Sequence, residues 1–74
     1  MNSRLRLLAI ERLFIIEKEL TIKTIKKKLF DNYNIKAERK AIYKDIRALQ
    51  QFYHINKKKV NDTVVYILER KSNE

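Results

Sequence analysis

The 74-residue sequence predicts a mainly α domain of three helices closed by one small β-hairpin, and three observations lead there. Apolar residues recur at three- and four-residue spacing through the first two thirds of the chain. The period then switches to two, and residues suited to caps and turns stand at the joints between these stretches. At this length only about 60% of the unfolded surface can be buried, so one compact core is the ceiling and the whole chain, 1–74, is read as a single domain.

The first helix spans about 3–19. Ser3 is a suitable N-cap, strong helix formers follow, and Leu7, Ile10 and Phe14 form the inward row. Thr21 caps a second helix of about 22–33, in which Ile22, Ile25 and Leu29 line one side while Lys23, Lys26, Lys27 and Lys28 crowd the rest. Asn34 then stands where a helix ends in a left-handed residue, a conformation Asn tolerates when no Gly is present. The third helix runs from about 38 to 52, with Ile42, Ile46, Leu49 and Tyr53 as its buried row. A hairpin over about 54–69 follows. The polar pair Asn61-Asp62 closes it, and its second arm, Thr63 to Ile67, is β-branched and aromatic. Helix, helix, turn, helix, hairpin is the order of a winged helix-turn-helix.

Eighteen Lys and Arg against nine Asp and Glu give a net charge of +9, which makes a polyanion the default partner, nucleic acid before an anionic membrane surface. The chain has no cysteine, which fits a reducing cytosol and removes disulfides and thiolate metal sites as sources of stability. Its longest apolar runs, Leu7 to Ile10 and Leu13 to Ile16, fall far short of the roughly 20 residues that span a bilayer, so a soluble, cytoplasmic protein is expected.

The stretch "IKAERKAIYKDIRAL" resembles the helix-turn-helix of DeoR-type and WYL-associated bacterial transcription regulators. Arg39, Lys40, Ile42, Tyr43, Asp45, Ile46 and Leu49 match directly and Lys44 conservatively; "RLRLLAIERLFI" and "VVYIL" fit the order of the family, so the resemblance covers nearly the whole chain. It implies a winged-helix DNA-binding domain with the third helix as recognition helix. The sequence departs from the pattern at Glu38, Ala41 and Asn34, which replace the usual cap, threonine and turn glycine. Nothing follows the wing, whereas WYL regulators carry a long effector domain, so no small-molecule effector is expected within this chain.

If Ile42, Ile46 and Leu49 face inward, Arg39, Lys40, Tyr43, Lys44 and Arg47 point outward over about three turns. An α-helix fits the major groove, where Arg or Lys donates to guanine N7 and O6, so Arg39 and Lys40 are the candidate base readers. Cations at a helix N-terminus oppose the macrodipole at roughly 0.3 to 1 kcal/mol each, a cost that a bound phosphate offsets. Lys57, Lys58 and Lys59 precede the hairpin turn and suit the DNA backbone; the same lysines could equally protect an edge strand, and both roles can hold at once. Lys23 and Lys26 are placed to brace the second helix against phosphates.

Helix one carries more apolar residues than one stripe needs: Leu5, Leu8, Ala9, Ile15 and Ile16 lie off the inward row. Either this surplus meets a second copy or another protein, with Leu5, Leu8 and Ile16 at the centre of a homodimer contact, or it lies beneath the hairpin and a C-terminal strand. A C2 dimer would set two recognition helices one turn of DNA, about 34 Å, apart.

No enzyme is expected. His54 is the sole histidine, and no triad, metal site or Gly-rich phosphate loop can be assembled, so neither metal nor cofactor is called for. Asp45 suits a structural ion pair with an arginine from elsewhere in the chain. Two function classes follow. One is a sequence-specific, double-stranded DNA-binding transcription regulator that acts by occupying a promoter. The other is a small phage- or plasmid-type interaction module or inhibitor that uses the same fold to bind a host protein.

Overall fold

The computed structural model describes residues 3–71. The chain runs α1 (Ser3–Glu17), β1 (Glu19–Thr21), α2 (Ile22–Tyr33), α3 (Arg39–Leu49), β2 (Tyr53–Val60) and β3 (Thr63–Lys71). The strands form one antiparallel sheet in the order β1-β3-β2. Three helices and a hairpin in this sequence make the winged helix-turn-helix that the periodicity predicts. The polar end beyond Lys71, and the extension of the domain to residues 1, 2 and 72–74, lie outside the described residues.

α1 is shorter than the expected 3–19, and Ser3, expected as its cap, is itself helical. The helix stops because Lys18 turns left-handed, with φ 69. Its N–H donates to the Phe14 carbonyl at 2.9 Å and its own carbonyl accepts from the Leu68 N–H at 2.7 Å, which hands the chain to the sheet. Glu19, Leu20 and Thr21 then pair with Ile67, Tyr66 and Val65. This strand was not expected, since three residues are too few to display an alternation.

Thr21 caps α2 as predicted, its hydroxyl accepting from the Thr24 N–H at 3.1 Å. Asn34 ends it in the left-handed region, φ 56, and two backbone bonds tie the turn to α2: Asn34 N–H to the Phe30 carbonyl and Ile35 N–H to the Leu29 carbonyl, each 3.0 Å. α3 begins at Arg39 behind Glu38, whose side chain makes no capping bond.

α3 ends at Leu49, three residues before the expected 52. The Gln51 and Phe52 amides bond three residues back, to Ala48 and Leu49, which tightens the last turn and releases the chain. Tyr53 therefore leaves the buried row assigned to it and opens β2, with its hydroxyl donating to the Glu11 carboxylate at 2.5 Å. The hairpin is correspondingly longer than the expected 54–69. Asn61 and Asp62 close it with φ 49 and 64, positive at both central positions as a type I′ turn requires.

One core joins all layers. α1 contributes Ala9, Ile10, Leu13 and Phe14; α2 Ile22, Ile25 and Leu29; α3 Ile42, Ile46 and Leu49; the sheet Leu20, Ile55, Tyr66 and Leu68. Ala9, expected among the surplus of α1, is buried, and Leu7, expected inside, is only half-buried.

Candidate nucleic-acid interface

α3 divides into two faces. Ile42, Asp45, Ile46 and Leu49 are buried, while Arg39, Lys40, Tyr43, Lys44 and Arg47 are exposed, as the spacing predicts. The inward acid is neutralised from within. The Arg6 guanidinium of α1 grips Asp45 through two bonds, Nε to Oδ2 and Nη2 to Oδ1, the second at 3.2 Å. That bond, opposed in part by burial, holds the Arg6 guanidinium above its ordinary pKa. Asp45 is thereby withdrawn from the surface, and the outer face of α3 is left with four cations and one tyrosine. None of those four cations makes an ion pair among the described residues.

The strand register decides where the wing lysines point. Lys57 lies opposite Tyr66, Lys58 opposite Val65 and Lys59 opposite Val64, and directly opposed residues share a face. Tyr66 is buried and Val64 packs on the core, so Lys57 and Lys59 stand on the side of the sheet that carries α3. Lys58 stands on the opposite side. The three lysines expected to act together are thus split two to one.

A groove of about 290 Å³ runs between α3 and the wing, with Tyr43, Arg47, Gln50, Lys57 and Tyr66 in its lining. Burial, and secondarily the neighbouring Tyr43, push the Tyr66 phenol above its ordinary pKa. Gln50 and Tyr66 were not singled out in the sequence. Tyr66 reads as one more aromatic of a strand, and only the pairing with Lys57 reveals that it shares a groove with the recognition helix.

On α2, Lys26 lies beside Glu38 at the start of α3, in a hollow it shares with Phe30 and Ile35, whereas Lys23 lies with Lys27 and Asp31 farther round the helix. Both are exposed. Two neighbouring lysines are engaged within the fold, Lys27 with Asp31 at 3.3 Å and Lys28 with Glu17 at 3.1 Å.

The expected contact residues of α1 are open to solvent: Leu5 is 57%, Leu8 52% and Ile16 64% exposed, with Ile15 beside them. The sheet does not cover them, which removes the alternative of burial under the hairpin. No helix among the described residues is long and apolar enough to cross a membrane, and none of their His, Asp or Glu side chains cluster in threes that could hold a metal. Comparison with family models, curated proteins and solved structures found no match to this chain.

Proposed function

We propose that this chain is a sequence-specific, double-stranded DNA-binding transcription regulator related to the DeoR-type and WYL-associated proteins, with α3 entering the major groove and the wing resting on the backbone. One observation carries the reading: the outer face of α3 presents Arg39, Lys40, Lys44 and Arg47 without an acid partner among the described residues, while the acid of the same helix is consumed inside by Arg6. A face needed only for solubility gains nothing from such segregation of charge, since mixed signs serve solubility as well. A polyanion does gain from it.

Arg39 and Lys40, at the leading end of α3, read base edges; Lys44, Arg47, Lys57 and Lys59 hold phosphates, and Lys23 and Lys26 brace α2 on the backbone. The exposed Leu5, Leu8 and Ile16 favour a protein contact on α1, and a second copy there yields a homodimer that spans two half-sites. A titration of duplex binding against salt tests the reading. Six phosphate contacts give a log-log slope of about −5.4 per protomer, doubled for a homodimer on two half-sites, and Arg39→Ala relaxes sequence preference. Equal, weak binding to every duplex, unchanged in Arg39→Ala, would refute it and favour the interaction module.

A further inference from the structure

Tyr66 is only 6% exposed, yet its hydroxyl has no hydrogen-bond partner among the described residues. The hydroxyl is not sealed in, because no fully buried side-chain oxygen or nitrogen there lacks a partner. Its ring belongs to the core, and the residue lines the groove between α3 and β2 together with Arg47, Lys57 and Tyr43. An unpartnered hydroxyl donor on a packed ring and two cations lining the same groove match a singly charged, tetrahedral oxyanion that offers several acceptors at once.

We infer that this groove seats one phosphodiester of the DNA backbone, with Tyr66 Oη donating to a phosphate oxygen and Arg47 and Lys57 neutralising its charge. The inference rests on the DNA-binding reading and deepens it: the hydroxyl of a core residue, rather than a flexible surface lysine, sets the register of α3 on the duplex. A rigid donor suits that task, since a packed ring loses no rotamer freedom on binding, whereas each lysine does.

Tyr66→Phe keeps the ring and removes the donor. Thermal denaturation first establishes that the variant folds as the parent does. Its affinity for a duplex selected from a random pool is then expected to fall roughly tenfold, the low end for a hydrogen bond to a charged group, while the salt slope stays unchanged because no cation is lost. Lys57→Ala instead lowers that slope by about 0.9. Parental affinity in Tyr66→Phe, with parental binding itself intact, overturns the phosphate seat and leaves the DNA-binding reading standing. Failure of the parent to bind any duplex overturns both. Saturable binding of inorganic phosphate that shifts the Tyr66 ring resonances, with no loss of duplex affinity in Tyr66→Phe, assigns the groove to a free anion and also overturns the proposal.

Discussion

The contact that orients α3 can be removed without touching its outer face. Asp45→Asn preserves shape but strips the charge from the bidentate pair with Arg6, whose side chains are 9% and 14% exposed respectively. Breaking a fully buried pair costs about 3–5 kcal/mol, and the residual solvent access at both groups reduces this to about 2–3 kcal/mol. At 0.05–0.15 kcal/mol per residue, a domain of this length holds roughly 4–11 kcal/mol in all, so the loss is a large fraction of the total. Each kcal/mol moves the midpoint of a domain this size by about 4–8 °C, and a fall of about 10–20 °C is expected in a thermal scan, with the urea midpoint lowered and its slope unchanged. Lys27→Ala, which breaks an exposed pair, shifts stability by less than about 0.5 kcal/mol and serves as the comparison. Arg6→Met combined with Asp45→Met recovers much of the loss, because an apolar pair of similar volume carries no desolvation penalty. An Asp45→Asn protein within about 0.5 kcal/mol of the parent would refute the view that this pair locks α3 to α1.

Lys59→Ala weakens binding to all duplexes alike and lowers the salt slope by about 0.9, whereas Lys58→Ala, on the far face of the wing, leaves the slope nearly unchanged; salt titrations of the two variants side by side check the split. Leu8→Glu places a charge on the exposed face of α1, so light scattering at concentrations on the order of tens of micromolar should report a dimeric parent and a monomeric variant, and the thermal midpoint should rise with protein concentration in the parent only. At high pH the Tyr53 phenol matters. Its bond to Glu11, then burial, raise it above the ordinary 10.0, so the stability it contributes is present below pH 10 and lost as pH climbs through the higher folded-state value. Urea midpoints above pH 10 should fall less steeply in Tyr53→Phe than in the parent.

The helices could be read from the sequence because each carries a spacing signal that tertiary contacts reinforce. Ile22, Ile25 and Leu29, then Ile42, Ile46 and Leu49, are apolar at helical intervals and all six are buried. The turns were readable for a different reason. With no Gly in the chain, left-handed positions fall to residues that tolerate them, and Asn34, Asn61 and Asp62 occupy three of the four found among the described residues. The fourth, Lys18, has no such propensity. Its conformation is imposed by the bond from Leu68 across the sheet, a contact distant in sequence, so neither the end of α1 nor β1 has a local signal in the sequence.

The outward face of α3 followed from its buried row alone, but the wing did not, and the cause is the period of a strand. Facing alternates at every residue, so a shift of one position in register would exchange Lys57 and Lys59 for Lys58 on the side of α3. Nothing in "NKKKV" fixes that register locally. It is fixed by Asn61-Asp62, whose two-residue turn sets Val60 against Thr63, and by Leu68 and Tyr66, which must lie inward opposite Ile55 and Lys57. The same constraint that buries the Tyr66 ring therefore directs Lys57 toward the recognition helix. Lengthening the turn by one residue after Asp62 would tie these consequences together: if pairing holds from the core outward, the Lys59 contact shifts while Lys57 and Tyr66 stay, and duplex affinity falls no further than in Lys59→Ala. A loss as large as that of Tyr66→Phe and Lys59→Ala combined would instead mean that the turn, not the core, governs the register of the wing.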